Sequence, residues 1–223
     1  MTEEAVKLYK GTVIEKRNIT ESTFVLSLDR NGMIFSPGQH IVVGSDNDIE
    51  RREYSIYSGI NNSNLEILVK EIEDGNISKK LNFLEKNDIL EIEGPFGQFT
   101  INEHSAQSKK FLFIASGTGI SPFHSFIKSY PSINYTMLHG IKHINETYDK
   151  TDYKNNNIKI CTSRDKKGDF NGRVTDYLIK HPVKDFTNLQ VYACGNSNMI
   201  YDAFDILKKQ GMQSEQFFTE VYF

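Results

Sequence analysis

A chain of 223 residues is long for one compact domain and comfortable for two of about 100 residues, each able to bury its own core. Its hydrophobic fraction of 38% is that of an ordinary globular protein, and a net charge of −3 with a pI near 6.1 supplies no basic field for a nucleic-acid backbone. No run of about 18 apolar residues is present that could cross a bilayer as a helix, which argues against membrane insertion.

The N-terminal stretch MTEEAVKLYK is charged and lacks the apolar segment of a secretory signal, so a cytoplasmic location is expected. Short strands then follow one another at Leu8–Glu15, Thr23–Leu28, Gln39–Val43, Tyr54–Tyr57, Leu65–Glu71 and Ile89–Glu93. Turn residues separate them, as at Ser36-Pro37-Gly38 and Asn61–Asn64. This punctuation predicts an antiparallel barrel. One helix interrupts it after Gly75-Asn76-Ile77-Ser78, with Ile77, Leu81 and Leu84 at helical spacing and Asn76 as the candidate N-cap.

From about Ser108 the rhythm becomes strand then helix. Strands are expected at Phe111–Ala115, Tyr135–Leu138, Ile158–Cys161 and Gln190–Ala193, with helices after the first, third and fourth. That alternation predicts a parallel sheet. The stretch Asn145–Asn157 is polar and gives no clear helical signal, and a last short strand is expected at Gln216–Tyr222. The polar segment His104–Ser108 reads as the link, giving domains at 1–105 and 106–223.

The segment Phe113-Ile-Ala-Ser-Gly117-Thr118-Gly119-Ile-Ser-Pro122 is a strand, a glycine turn and a helix start. Such a turn brings backbone N–H groups close to a pyrophosphate, and the helix N-terminus favours the negative charge. Pro122 stands where GxGxxG would carry its third glycine, and the next strand ends His139-Gly140-Ile141-Lys142 with no acid for a ribose. Both departures weaken a Rossmann dehydrogenase reading. The two cysteines, Cys161 and Cys194, form no CxxC motif and cannot by themselves supply the four thiolates of an iron–sulfur cluster. The histidines show no HExxH spacing, and no serine lies in a GxSxG elbow.

Six short elements occur in order: Arg51-Arg52-Glu53-Tyr54-Ser55, Gly75–Ser78, Gly94-Pro-Phe-Gly97, Gly117–Pro122, Cys194-Gly195-Asn196 and Glu220-Val-Tyr222. Their order and approximate spacing resemble the ferredoxin–NADP reductase family over nearly the whole chain. The resemblance implies an antiparallel barrel domain that binds FAD, followed by an α/β parallel-sheet domain that binds NADP(H). It places Arg52, Tyr54 and Ser55 along the flavin and its pyrophosphate. Gly75, Asn76, Ile77 and Ser78 become a second pyrophosphate contact made by a helix N-terminus. Gly94–Gly97 becomes a structural turn leaving the barrel.

The same resemblance assigns Gly117, Thr118 and Gly119 to the nicotinamide nucleotide, and Ser163, Arg164 and Arg173 to the extra phosphate of NADPH. Two guanidinium groups suit a dianion, which favours NADPH over NADH. Cys194 would lie beside the nicotinamide and help position it without acting as a nucleophile, and Glu220 would orient it or relay a proton. Tyr222 matches the tyrosine that stacks on the flavin in plant-type members. Here one further residue, Phe223, follows it and is the alternative occupant of that face.

The implied activity is hydride transfer between NADPH and FAD at N5 in a cleft between the domains, with single electrons exchanged with ferredoxin or flavodoxin. A second reading makes the chain the reductase component of an oxygenase or another multicomponent system. A third, a nucleotide-binding module without turnover, is disfavoured because Ser55, Cys194 and Glu220 are all present.

Overall fold

The structure, a computed structural model, describes residues 7–44, 50–154 and 156–222. The chain divides into two compact units. One contains the residues up to Thr100 together with His124–Ser129, and the other contains Ile101–Phe123 and Tyr130–Phe223. Among the described residues no helix is long and apolar enough to cross a membrane.

The first unit is built from β1 (Leu8–Asn18), β2 (Thr23–Asp29), β3 (His40–Gly44), β4 (Arg52–Ser55), β5 (Asn64–Lys70), α1 (Asn76–Phe83) and β6 (Ile89–Phe96). Its strands form one antiparallel sheet in the order β4-β3-β6-β1-β2-β5. Just past β4, a bridge between Ile56 and Ile67 and a hydrogen bond from Tyr57 N to Glu66 O bring the chain onto the other edge strand, β5. The sheet is thereby nearly closed into a barrel, which removes most of the exposed edge. Register shifts at Val13/Glu15 and His40/Val42 mark the bulges that bend it.

Alternation along the strands sends Val13, Leu26, Leu28, Ile41, Val43, Leu65, Ile67, Val69 and Ile92 into one buried core, and Ile77 and Leu81 of α1 join it. Six residues of the second half of the chain belong to this unit. His124 Nδ1 and Ser125 Oγ each hydrogen-bond the loop after β4, at Tyr57 O and Ser58 O, both at 2.7 Å. The His124 ring stacks on that of Tyr57 with centroids 3.7 Å apart.

The second unit contains α2 (Glu103–Ser108), β7 (Lys110–Ser116), the start of α3 (Ser121–Ser129), β8 (Asn134–Ile141), β9 (Ile158–Thr162), β10 (Phe170–Asn171), α4 (Val174–Lys180), β11 (Leu189–Gly195), α5 (Ser197–Lys209) and β12 (Phe217–Val221). All its strand pairs are parallel, in the order β10-β9-β8-β7-β11-β12. Both faces are covered, which is why β7 reads as a continuous apolar run. Leu112 and Ile114 pack towards Leu178, Ala203 and Leu207. On the other side Phe113 stacks on Phe123 and Tyr135, with centroids 4.8 and 5.7 Å away. Such aromatic pairs contribute about 0.5–1.5 kcal/mol each beyond their area burial.

The expected fold class, an antiparallel barrel followed by a parallel α/β sheet, is the one observed. Some local readings differ. Gly75, and not Asn76, is the cap residue of α1, and it makes no side-chain cap bond. The supposed link His104–Ser108 is helical, because Asn102 accepts a hydrogen bond from Ser105 N and caps α2. Within Asn145–Asn157 the described residues form short 3₁₀ turns at Ile144–Glu146 and Lys150–Asp152. Gly94-Pro-Phe completes β6 and only Gly97 turns the chain away. The two-residue β10 was too short to show any periodicity.

Candidate functional site

In the barrel unit the paired arginines have different tasks. Arg51 Nη2 lies 2.6 Å from Glu91 and its Nη1 3.2 Å from Glu93, a half-buried cluster tied to β6. Arg52 is exposed at the start of β4, its Nη1 donating to Arg51 O. Tyr54, on the same strand, is half-buried against the barrel core, and burial pushes its phenol up to about 12 despite the opposing charge of Arg52. It stays a neutral hydroxyl donor. Ser55 ends the strand and is buried.

The start of α1 lies next to this strand: Asn76 Nδ2 donates to both carboxylate oxygens of Glu50, at 3.2 and 3.3 Å, two residues before Arg52. Ile77 is in the core, and Ser78 Oγ accepts from Ile72 N, so these side chains hold the helix in place. With no side-chain cap and no acid in the first turn, what α1 presents to an anion is backbone N–H. An exposed guanidinium, an uncapped helix start and a neutral phenol therefore fit a flavin dinucleotide, whose pyrophosphate needs the first two.

In the second unit the site elements gather at the carboxyl ends of the parallel strands. Chain order reverses between β7 and β11, and that is where such sheets take ligands. The turn after β7 holds Gly117 at φ +54, and Gly119 lies directly against the turn after β11. A Cβ on Gly119 would sit 2.7 Å from Gly195 Cα, so only glycine allows the two turns to touch. Ser116 Oγ fastens them by accepting from Asn196 N at 2.9 Å, and Asn196 caps α5. Ser116 and Asn196 stand inside motifs read from the sequence but had no role assigned there, since both work through a contact 80 residues apart.

Cys194 pairs with Glu220 across β11 and β12, and Tyr222 N donates to Gly195 O at 2.9 Å. The thiol is fully buried. Burial and then the charge of Glu220 push its pKa well above the usual thiol range, against smaller opposing hydrogen bonds from Tyr222 and from Gly195 N–H. Cys194 is therefore a thiol at any working pH, an unsuitable nucleophile and a fixed wall. Phe223 lies outside the described residues.

Two strands away, Ser163, Arg164 and Arg173 are exposed after β9 and β10. Ser163 N and Arg164 N bond Ile141 O and Lys142 O, which joins their loop to the end of β8. Nearby acids are committed to backbone donors. Asp165 accepts from Ile144 N at 2.8 Å, chiefly for which reason its pKa is held low, and Asp176 accepts from Arg173 N at 2.8 Å. Cationic side chains beside acids so engaged, with the glycine turn two to three strands away, fit a dinucleotide with an additional phosphate. The sequence missed Asp165, which organises this loop.

His139, on β8, is wholly buried. Its Nε2 lies 2.9 Å from Gly117 O, so it holds the glycine turn. Burial lowers its pKa to about 4, the Gly117 bond and the Glu146 charge opposing only in part. The unfolded chain takes up a proton near pH 6.5 that the folded one refuses until about pH 4. The resulting stability is present above pH 6.5 and is lost as pH falls towards 4, roughly 3 kcal/mol in all. Urea unfolding should accordingly show that His139→Gln loses less stability than the natural protein between pH 6.5 and 4 (about the range set by those pKa values). Equal losses would mean that this histidine does not drive the acid sensitivity.

A nearly closed barrel carrying one anion-binding corner, and a parallel sheet carrying a second at its switch point, define an oxidoreductase of the flavin and nicotinamide dinucleotide class. Residues 10–101 match the oxidoreductase FAD-binding domain and residues 113–205 the oxidoreductase NAD-binding domain. The flavodoxin/ferredoxin–NADP reductase of Buchnera aphidicola is 29% identical over 89% of this chain and 90% of its own length. A toluate 1,2-dioxygenase electron transfer component from Pseudomonas putida is 25% identical over 96% of this chain and 67% of its own. The solved structure of ferredoxin–NADP+ reductase from Plasmodium falciparum superposes with a TM-score of 0.80 at 26% identity, covering 96% of each chain. The chain is an oxidoreductase built from these FAD-binding and NAD-binding domains, and ferredoxin–NADP reductases are among its relatives and structural neighbours.

Proposed function

We propose that this protein passes electrons between NADPH and a one-electron carrier protein, ferredoxin or flavodoxin, using FAD held by the barrel unit. The observation that carries the reading is the convergence of Gly117–Gly119, Cys194, Glu220 and Tyr222 at one end of the parallel sheet, with Arg164 and Arg173 further along the same end. FAD supplies the conversion of a hydride from the nicotinamide into single electrons, which no side chain of this protein can perform.

The chain's own residues bind and align. Arg52 and the first N–H groups of α1 hold the flavin pyrophosphate, and Tyr54 and Ser55 offer hydroxyls to the ribityl and ring region. The turn at Gly117, Thr118 and Gly119 receives the pyrophosphate of the nicotinamide nucleotide, and Ser163, Arg164 and Arg173 grip its extra phosphate. Cys194 and Glu220 fix the nicotinamide, and Tyr222 covers the flavin face until the nicotinamide replaces it. Phe223 is the alternative cover.

The similarity to an oxygenase electron transfer component supports a second reading, in which the carrier is a dedicated oxygenase partner. With two cysteines, these 223 residues supply too few thiolates for a four-cysteine cluster, so under either reading the one-electron carrier lies outside them. The experiment is rapid-mixing reduction of the FAD-loaded protein by NADPH, followed by turnover with ferredoxin, flavodoxin and an oxygenase component from the same cell. Failure of NADPH to reduce the flavin would overturn both readings, and turnover with the oxygenase component alone would select the second.

Arg164→Ala and Arg173→Ala should each weaken NADPH by roughly tenfold or more, since a charge-assisted contact contributes about 1.5–3 kcal/mol and solvent exposure places these at the lower end. NADH should be nearly unaffected and FAD content unchanged. Steady-state KM values for the two nucleotides check this, and equal losses would remove both arginines from phosphate recognition.

A further inference from the structure

His139 is buried on both sides within the sheet, and an apolar residue would pack there without leaving a polar atom uncovered. Among the described residues its buried Nδ1 has no hydrogen-bond partner. Its single bond runs from Nε2 to Gly117 O at 2.9 Å. A carbonyl oxygen only accepts, so Nε2 carries the proton and Nδ1 the uncovered lone pair. The imidazole thus accepts a desolvation cost for one hydrogen bond, to the glycine that opens the turn.

That bond decides which way a peptide faces. In a trans peptide the C=O and the following N–H point in opposite directions. With Gly117 O drawn inward to His139, the N–H of Thr118 is turned away from the strand interior. Gly117, at φ +54, opens the short 3₁₀ turn Gly117–Ile120, and the bond from His139 adds a side-chain anchor to the first peptide of that turn, where glycine's conformational freedom would otherwise leave it easier to displace. An outward N–H at this place is a donor to an anion seated on the turn.

We propose that His139 is a positioning residue for the nicotinamide nucleotide, holding the Gly117–Thr118 peptide with its N–H towards the pyrophosphate. This rests on the reading that the turn receives that pyrophosphate. His139 touches no substrate atom and acts through the peptide it fixes. It stays neutral, with one fixed tautomer, through the working range because burial lowers its pKa to about 4.

The test compares ligands with and without a pyrophosphate on the FAD-loaded protein, using titration calorimetry. NADP+ spans the turn, whereas adenosine 2′-monophosphate carries the extra phosphate and no pyrophosphate. His139→Leu should weaken NADP+ roughly tenfold, the loss of one hydrogen bond to a charged group, and leave adenosine 2′-monophosphate unchanged. It should raise the KM for NADPH with little change in kcat, and His139→Gln, which restores a donor, should recover most of the affinity. Equal weakening of both ligands, or no weakening, would overturn the proposal. If the natural protein binds neither ligand, the underlying nucleotide reading falls instead. Should His139→Leu fail to hold FAD, imidazole nitrogen NMR of the natural protein decides alone: an Nε2–H tautomer supports the proposal and an Nδ1–H tautomer overturns it.

Discussion

Gly119→Ala should slow reduction of the bound flavin by NADPH on the order of 100-fold while leaving FAD content unchanged. The added Cβ would lie 2.7 Å from both Cys194 C and Gly195 Cα, and these are backbone atoms that cannot rotate aside. Nor can the opposing turn retreat. Gly195 is itself at φ +128, with the place of its own missing Cβ 2.8 Å from Ser116 O. One of the two turns must therefore shift by a substantial fraction of an ångström. A misplacement of about 1 Å at a reacting centre costs about 100-fold in rate. Gly117→Ala is the control. Among the described residues nothing lies within 4 Å of its Cβ, so its cost is the left-handed backbone at φ +54, about 1–2 kcal/mol. That strain should appear as lost stability, with a smaller change in rate. Rapid-mixing reduction and urea unfolding of both variants check the contrast. A larger rate loss in Gly117→Ala would mean that contact between the turns is not what sets the site.

These two glycines also show how much was legible in the sequence. The turn itself was, because a strand, Gly-Thr-Gly and a proline-bearing helix start are local features. Its partner was not, since Ser116, Asn196 and Gly195 meet it only once β7 and β11 lie side by side. The same holds for His139, whose value comes from a bond to Gly117, 22 residues away in the chain. The barrel strands were visible through alternation, but the cap of α1 was misplaced by one residue. Asn76 is the better capping type, yet its amide is spent on Glu50, a contact no local pattern announces. Arg51 and Arg52 were separable in principle. Neighbouring residues in extended chain face opposite ways, and Glu91 and Glu93 on one face of β6 offered a partner to only one of them.

Cys194→Ala and Glu220→Gln should each slow hydride transfer by up to about 100-fold without releasing FAD, because both act on the position of the nicotinamide. The burial of Cys194 decides what kind of loss this is. A reactive thiolate would give a rate that rises with pH as the thiol ionises. Here burial, and secondly the Glu220 carboxylate, push that ionisation well above the usual thiol range. The natural protein should therefore show no rate increase that tracks a thiol between about pH 7 and 9, the range around an unperturbed cysteine, and its Cys194 should resist alkylation in the folded state. Cys194→Ser tests shape against chemistry: it keeps nearly the same volume and should recover much of the rate lost in Cys194→Ala. Removing the charge in Glu220→Gln takes away one cause that raises the thiol pKa, so Cys194 should become somewhat more reactive towards alkylating agents as hydride transfer slows. Those two changes in a single variant would tie Glu220 and Cys194 to one pocket, as their pairing across β11 and β12 indicates. Unchanged flavin reduction in both Cys194→Ala and Glu220→Gln would move the reacting centre away from this end of the sheet.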